Sequence, residues 1–193
     1  MLTAYIAMGA NLPSPIGPPA ATLADAVERL GSLGRVVRRS SLYSTAPVGF
    51  ADQPRFVNAV VALQTGLAPR TLLVRLLAIE RDYGRERVLG AVNGPRTLDL
   101  DILMMGDLRL CESELELPHP RLAERAFVLI PLCEIAPQII EPRHHVPVAE
   151  LLQRLRARDA SEAGAVVPVG NAPWDAGPGA SPAGSAGQSD RHG

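Results

Sequence analysis

The chain has 193 residues, and its 19 lysines and arginines are balanced by 20 aspartates and glutamates. This balance excludes a general electrostatic attraction to nucleic acid or to an anionic membrane, so any anion must be bound locally. The length suffices for one hydrophobic core, and two cysteines without C-x-x-C spacing argue against a disulfide framework or a zinc site. The N-terminus carries no basic region before its short apolar run. We therefore expect a cytoplasmic protein without membrane or nucleic-acid partners.

The first elements predicted along the chain are a strand and a helix. Residues Thr3–Met8 are a short apolar run that closes at a glycine, as a buried strand does at a turn. After a proline-rich loop, apolar residues recur at helical spacing from Leu23 to Leu30. Thr22 followed by Asp25 resembles a capping box, which favours a helix start at this point.

Two more strands, a second helix and a fourth strand follow. The segments Val36–Tyr43 and Phe56–Leu63 are rich in β-branched and aromatic residues and predict strands. A helix is predicted from Pro69, and Gly84 supplies a left-handed stop for it. Leu98–Met105 then predicts the fourth strand. The order β-α-β-β-α-β is typical of an α+β fold of the ferredoxin-like type, with an antiparallel sheet and both helices on one face.

The last part of the chain divides into loops with short helices and a tail. Residues Pro118–Leu155 predict loops and short helices that complete the core. From Asp159 the composition turns to alanine, glycine, serine and proline around a single Trp174, and such a segment buries too little apolar area to offset chain entropy. We therefore expect one domain over residues 1–158 and a disordered tail over residues 159–193.

Two acidic residues on the fourth strand give the clearest chemical signal. Residues two apart in a strand point to the same side, so Asp99 and Asp101 project together while the apolar residues beside them face the core. Two such carboxylates repel each other unless a cation compensates, and their oxygen atoms suit Mg²⁺. The alternative is an edge strand whose acidic side chains face water.

Arginines and a tight turn lie close to these acids in the sequence. Arg85, Arg87 and Arg96 can bind oxyanions, and the Gly94–Pro95 turn can hold backbone amides near a phosphate. Acids that hold a metal and arginines that hold oxyanions together indicate phosphoryl transfer. The alternative is a solvated loop in which Glu86 pairs with the arginines.

A pocket for a planar ligand is predicted on another strand. Alternation places Phe56 and Asn58 on one side of their strand, which combines an aromatic surface with an amide. The alternative is a core aromatic residue beside an amide that bonds neighbouring backbone. His119, in PHPR, is followed by Arg125 and Phe127, although a histidine in such a loop is also compatible with a surface position.

Six motifs of the chain resemble one known family. The motifs occur in family order through roughly the first 140 residues: AYIAMGANL, STAPVG, DQPRFVNAVVAL, IERDYGRER, GPRTLDLDIL and PHPRLAERAFVLIPLCEIAP. They resemble the hydroxymethyl-dihydropterin pyrophosphokinases of folate biosynthesis, which move the β,γ-pyrophosphoryl unit of ATP to a pterin hydroxyl and release AMP. The resemblance implies that residues 1–158 are a catalytic domain and that ATP and the pterin are its small-molecule partners.

The resemblance also implies a role for each matching residue. Two Mg²⁺ ions would be bound by Asp99 and Asp101. The catalytic residues would be Arg85, Arg96, Asp99 and Asp101. The residues that hold ATP would be Glu80, Arg87, His119 and Arg125. The residues that bind the pterin would be Thr45, Pro47, Val48, Phe56, Asn58 and Phe127. We expect the enzyme to act as a monomer.

Two rival hypotheses belong to other classes of protein. An inert pterin- or nucleotide-binding protein on the same fold would retain the acids for ligand affinity alone, and production of AMP separates it from an enzyme. An RNA-binding module of ferredoxin-like fold would present clustered aromatic residues on its central strands. The fourth strand carries acids instead, and these repel phosphate unless a metal intervenes.

Overall fold

Strands and helices alternate through most of the chain in a computed structural model, which describes residues 1–47, 52–85, 94–170 and Trp174. In chain order the elements are β1 Leu2–Ala10, α1 Pro19–Leu30, β2 Arg35–Arg39, β3 Tyr43–Thr45, β4 Phe56–Thr65, α2 Pro69–Asp82, β5 Asp99–Met105, β6 Leu110–Cys111, β7 Glu116–Leu117, α3 Ala126–Ile135, β8 Ile140–Glu141, β9 Val146–Pro147, α4 Val148–Arg158, α5 Ala160–Gly164 and β10 Val167–Pro168. Within these described ranges, no helix combines the length and apolar character needed to cross a membrane.

One antiparallel sheet organises the described residues, and β1 lies between β4 and β5 within it. On the far side of β4, both β2 and β3 pair with β4, and β10 pairs with β3. The connection through α1 therefore carries the chain from β1 across β4 to β2. This strand order confirms the predicted ferredoxin-like fold.

The sheet separates two apolar clusters. On one face, Ile6 and Met8 of β1 pack with the buried leucines of α1 and α2, so the prediction that these two helices share a face is confirmed. On the other face, Val60 and Ala62 of β4 pack with residues of α3 and α4. The short helices predicted for the C-terminal part of the domain thus cover the opposite side of the sheet.

The strand predicted over Val36–Tyr43 is two short strands that are separated at Ser40. The Ser40 N–H donates to the Val60 carbonyl, but the Val60 N–H donates back to the Ser40 hydroxyl, at 3.0 Å, and not to the Ser40 carbonyl. The hydroxyl thereby replaces one backbone acceptor of the ladder. The Ser40 carbonyl instead accepts a hydrogen bond from Trp174 Nε1–H, at 2.6 Å.

The start of α1 differs from the predicted capping box. The helix begins at Pro19, whose fixed φ suits a first helical position, and Pro18 precedes it without a side-chain cap. Thr22 is fully buried in the first turn, where its hydroxyl bonds to Ser14 Oγ at 2.8 Å. The capping-box prediction is therefore wrong.

The tail that was predicted to be disordered carries structure over its first part. Residues 160–170 contain α5 and β10, and Trp174 is 1% exposed. The prediction is wrong for these residues, because Val166, Val169 and Trp174 pack against clusters that the rest of the chain already forms. Residues 171–173 and 175–193 lie outside the described residues.

Gly34, at the junction of α1 and β2, provides a test of this packing. A Cβ atom at Gly34 would lie 2.2 Å from the Gln64 carbonyl oxygen, whereas a Cβ at Gly66 would meet no atom within 4 Å. We expect Gly34→Ala to lower the free energy of unfolding by about 1–3 kcal/mol, measured by urea denaturation. Gly66→Ala is the matched control, and equal stability of the two variants would contradict the close approach.

Candidate active site

Two carboxylates project from the start of β5 on the face opposite to α1 and α2. Leu100 and Ile102 are buried in the cluster formed with those helices, so Asp99 and Asp101 point to the other side. Both side chains are partly exposed there. The alternation predicted from the sequence thus holds in the structure, and the two acids share one face.

Asp99 is held between two arginines from different parts of the chain. Arg85, which follows α2, donates from Nη1 to Asp99 Oδ1 at 2.5 Å, and Arg96 donates from Nη1 to Asp99 Oδ2 at 2.5 Å. The two arginine side chains are 14% and 18% exposed, so water screens these ion pairs only in part. The planar guanidinium groups are therefore fixed beside the acids.

Glu80, near the end of α2, fastens this helix to β5. Its side chain is 2% exposed, and its Oε1 accepts hydrogen bonds from Arg85 Nη1 at 2.5 Å and from the Leu100 N–H at 2.8 Å. In this arrangement Glu80 orients Arg85 and fixes the start of β5. The predicted role of Glu80 in holding the nucleotide stays a prediction. Because its side chain is buried and bonded to Arg85, an indirect role through Arg85 is better supported than direct contact with the nucleotide.

Asp101 has a different environment from Asp99. Within the part of the chain that the structure describes, it forms neither a hydrogen bond nor an ion pair. Burial, together with the negative charges of Asp99 and Glu80, raises the pKa of Asp101 to about 6, against the opposing effect of Arg125 and Arg85. Such a carboxylate is stabilised by an additional cation.

The donor atoms on this face fit a hard divalent cation that brings ligands of its own. Residues 1–47, 52–85 and 94–170 contain no group of three or more His, Cys, Asp or Glu side chains that could hold a metal. Mg²⁺ needs no such cage, because it commonly binds to one or two carboxylates and completes its shell with water and phosphate oxygens. Asp99 and Asp101 therefore suit Mg²⁺ that arrives with a nucleotide.

Gly9 of β1 leaves the space between the acids and a polar pocket open. It pairs with Asp99 on one side and with Asn58 on the other. A Cβ atom at Gly9 would lie 2.9 Å from Asn58 Oδ1, so a side chain here would displace the Asn58 amide. From its sequence position Gly9 was expected to close the first strand, whereas β1 continues to Ala10 and Gly9 lies within it.

The predicted pterin residues on β3 and β4 lie together. The buried Asn58 donates from Nδ2 to Thr45 Oγ1 at 2.8 Å, which orients the amide. The ring of Phe56 lies beneath the guanidinium group of Arg96, 5.8 Å from its centroid. Pro47 follows β3 and is partly buried, whereas Val48 lies outside the described residues.

Asn11 connects the turn before β5 to the loop before β4, a role that was not predicted from the sequence. Its Oδ1 accepts from the Arg96 N–H at 2.7 Å, and its Nδ2 donates to Gln53 Oε1 at 3.0 Å and to the Pro54 carbonyl at 3.1 Å. The side chain is buried. The one available signal was its position in the AYIAMGANL motif, directly after β1.

His119 reaches the site through an irregularity in β5. The pairing of β1 with β5 shifts register at Leu103, and the Leu103 carbonyl accepts from the His119 N–H at 2.8 Å. Burial, and then the positive charges of Arg125 and Arg121, lowers the pKa of His119 to about 4. Because the neutral ring accepts from the Arg121 N–H at Nδ1, it must carry its proton on Nε2. His119 is therefore an uncharged N–H donor.

The start of α3 brings the last predicted residues to the same face. Arg125 precedes the first helical residue, and its guanidinium group lies 5.5 Å from the centroid of the Phe127 ring. Arg125 also interacts electrostatically with Asp101 and Asp99, while burial lowers its pKa. A third arginine thus lies near the two acids, at the start of α3.

The structure therefore joins most of the predicted site residues, although Arg87, like Val48, lies outside the described residues. One contact network contains Glu80, Arg85, Arg96, Asp99 and the ring of Phe56. Asp101, His119, Arg125 and Phe127 adjoin it through electrostatic or ring contacts. Paired acids that face several arginines beside a polar pocket define a site of the phosphoryl-transfer class.

Known proteins identify the family within that class. The sequence model of the 7,8-dihydro-6-hydroxymethylpterin-pyrophosphokinase (HPPK) family matches residues 5–137. A 2-amino-4-hydroxy-6-hydroxymethyldihydropteridine pyrophosphokinase of Pseudomonas aeruginosa is 50% identical over 144 residues, which cover 74% of this chain and 86% of the relative. The enzyme of the same name from Haemophilus influenzae is 40% identical over 154 residues, which cover 80% of this chain and 93% of the relative. The chain belongs to this family of ATP-dependent pyrophosphokinases of folate biosynthesis.

Solved structures share the fold. A crystal structure of a triple mutant of Plasmodium falciparum HPPK-DHPS with pteroate matches with a TM-score of 0.64 at 14% identity, covering 86% of this chain and 46% of that chain. This chain thus spans about half the length of the Plasmodium protein. At that identity the likeness bears on the fold alone.

The protonation state of His119 gives a prediction for the protein without nucleotide. The His119 ring should stay neutral, with its proton on Nε2, when the pH is lowered from 8 to about 5.5, because burial disfavours its charged form. Long-range ¹H–¹⁵N spectra of the histidine rings measure both properties, and His119→Gln assigns the signal. A pKa of that ring near 6.5, the usual value for histidine, would contradict the burial argument. By linkage, the folding stability that depends on neutral His119 is present above pH 6.5 and is lost as the pH falls toward 4.

Proposed function

We propose that this chain transfers the β,γ-pyrophosphoryl group of ATP to the hydroxyl of 6-hydroxymethyl-7,8-dihydropterin, giving the pterin diphosphate and AMP, with the residue roles given below. The observation that carries these roles is the shared face of Asp99 and Asp101, with Arg85 and Arg96 bonded to Asp99. The electrostatic contact of Arg125 with both acids extends this face toward α3.

Two Mg²⁺ ions are part of the proposal, and the number follows from the family resemblance. When bound, Mg²⁺ neutralises phosphate charge and fixes the geometry of the triphosphate. Asp99 and Asp101 would hold the ions. The raised pKa of Asp101, which comes from burial and from neighbouring negative charge, supports this role because a cation would stabilise the ionised form.

The arginines and His119 would bind the phosphate oxygens. Asp99 holds the guanidinium groups of Arg85 and Arg96 beside the acids, where both could donate to a triphosphate once a metal shares the negative charge of Asp99. Arg125 and the Nε2–H of His119 would approach from the side of α3. The role of Arg87 stays a prediction.

The pterin would lie between Phe56 and Phe127, with its edge read by Asn58. Because Thr45 accepts from Asn58 Nδ2, the Oδ1 atom of the amide is directed toward the open space above Gly9, where it can accept from a pterin N–H. Each aromatic ring has an arginine over one of its faces. Pro47 and Val48 would complete the pocket, and their roles stay predictions.

The reaction needs no covalent enzyme intermediate. The pterin hydroxyl attacks the β-phosphorus of ATP, a new oxygen–phosphorus bond forms, and the bond from the β-phosphorus to the oxygen shared with the α-phosphate breaks. The hydroxyl proton passes to water, and AMP leaves with the electron pair of the broken bond. The chain contributes position and charge, which is the usual division of labour in phosphoryl transfer. We place this activity in a cytoplasmic monomer, and two free cysteines without disulfide spacing fit a reducing cytoplasm.

The product nucleotide tests the reaction. With ATP, Mg²⁺ and 6-hydroxymethyl-7,8-dihydropterin, we expect AMP and pterin diphosphate in equal amounts, measured by chromatography of the nucleotides. Omitting the pterin or chelating the metal should suppress AMP. Formation of ADP would contradict the proposed transfer, and the absence of any product would favour an inert binding protein.

Asp101→Asn tests the proposed metal site. The variant removes a negative charge but keeps the size of the side chain, so we expect kcat/KM to fall by roughly 100-fold or more with little change in thermal stability. Asp107→Asn is the matched control, because Asp107 is exposed in the turn after β5. Wild-type turnover and wild-type Mg²⁺ dependence in Asp101→Asn would contradict the site.

A further inference from the structure

The described residues after α4 pass along the edge of the sheet beside β3. They comprise residues 159–170 and Trp174, which we call the C-terminal strap. The strap lies beyond residues 5–137, where the family's sequence model matches, and none of the roles proposed above uses it. It nevertheless contacts both segments that carry the proposed pterin residues, α3 through a side chain and β3 through its backbone.

One contact of the strap is with the N-terminus of α3. The Ala126 N–H, which has no acceptor within its own helix, donates to Glu162 Oε1 at 3.1 Å. The side chain of Arg125, at the N-cap position, does not cap the helix. The Glu162 carboxylate from α5 supplies the acceptor in its place. Asp159 Oδ1 accepts from the Glu162 N–H at 3.0 Å and thereby fixes the start of α5. Glu162 thus holds the residue between Arg125 and Phe127.

The second contact of the strap is with β3. Val167 and Pro168 pair with Ser44 and Tyr43, and the Val169 N–H donates to the Leu42 carbonyl at 2.9 Å. β3 has three residues, and without the strap it would be an edge strand paired on one side. Pairing on both sides therefore stabilises β3, which ends at Thr45, one of the predicted pterin-binding residues.

An arginine reinforces the second contact. Arg55 donates from Nε to Ser44 Oγ at 2.9 Å and from Nη2 to the Ala165 carbonyl at 3.4 Å. It precedes Phe56, the first residue of β4. The strap, β3 and the start of β4 are therefore joined by one side chain.

The strap is anchored in both apolar clusters. Val166 packs with the cluster under α3 and α4, whereas Val169 and Trp174 pack with the cluster under α1 and α2. Trp174 is 1% exposed, and the guanidinium group of Arg39 lies 5.4 Å from its ring centroid. Its Nε1–H bonds to the Ser40 carbonyl at the break between β2 and β3. The strap therefore passes around the edge of the sheet from one face to the other.

We propose that Glu162 is a positioning residue for the pterin, because it fixes the α3 wall of the pocket while the rest of the strap fixes the β3 wall. The inference rests on the proposed function, in which Thr45 and Phe127 belong to the two walls. Glu162 touches no substrate in this scheme. It accepts the hydrogen bond of the Ala126 N–H. This bond fixes the backbone at the start of α3 and thereby the direction of the Phe127 side chain.

Kinetics of Glu162→Ala test the inference. We expect the KM for the pterin to rise by about fivefold, as the loss of one helix N-terminal cap suggests, while kcat at saturating substrates stays within about twofold. Glu162→Gln retains an oxygen acceptor and should restore most of the affinity. Glu150→Ala is the matched control, since Glu150 forms an exposed ion pair with Arg154 on the neighbouring α4. An equal rise in KM for Glu150→Ala would overturn the inference by showing a general loss of stability.

A second measurement is independent of activity. Amide hydrogen exchange at Ala126 should be faster in Glu162→Ala than in the wild type or in Glu150→Ala. Trp174→Phe, which keeps a smaller aromatic ring but loses the bond to the Ser40 carbonyl, should speed exchange in β3. Unchanged exchange at Ala126 would overturn the inference.

Phe127→Ala separates failure of the inference from failure of the site. If Phe127→Ala raises the KM for the pterin and Glu162→Ala does not, the positioning role is wrong and the pocket stands. If neither variant changes this KM, the pocket assignment itself is wrong, and the inference falls with it. Both results are distinct from the expected one, in which both variants raise it.

Discussion

The bond of Asp99 to both Arg85 and Arg96 is the interaction on which the rest of the site depends. It joins the end of α2, the turn before β5 and the first residue of β5. Glu80 extends the same network to the backbone of β5. Partly buried ion pairs of this kind are interdependent. Removing one charged side chain leaves its partner's charge uncompensated in a medium of low polarity, which is destabilising. The groups that would meet a triphosphate are therefore arranged before it binds, which is how enzymes lower the reorganisation required during reaction.

Asp101 shows that this network is not complete in itself. Its pKa is raised by burial and by the negative charges of Asp99 and Glu80, so the site tolerates an acid whose ionised form is disfavoured. A feature that costs stability without an evident structural return is typical of a functional site. A divalent cation on this face would remove the conflict, and under the proposed function Asp99 and Asp101 would bind it from a rigid strand.

The remaining parts of the site are held by contacts between segments distant in the sequence. Asn11 joins the Arg96 turn to the loop before β4, and the register shift at Leu103 gives His119 its backbone acceptor. Glu134 of α3 accepts from Tyr43 Oη at 2.8 Å, so α3 also contacts β3 directly. The loops around the pocket thus depend on the sheet and on α3 for their positions. The sheet is the rigid scaffold, and the proposed recognition of the substrate depends on the contacts that fix the loops between its strands.

By itself the sequence determined the order of strands and helices, the ferredoxin-like fold and the shared face of Asp99 and Asp101. Strand and helix periodicity are properties of neighbouring residues, so they can be read without the fold. The tertiary structure alone decided the break at Ser40 and the fact that the C-terminal strap, with Trp174, folds onto the domain. It also decided the roles of Asn11 and Glu80, whose partners are 85 and 20 residues away. Such contacts depend on which segments the fold brings together, and a hydroxyl or amide carries no local mark of the distant group that it will bond.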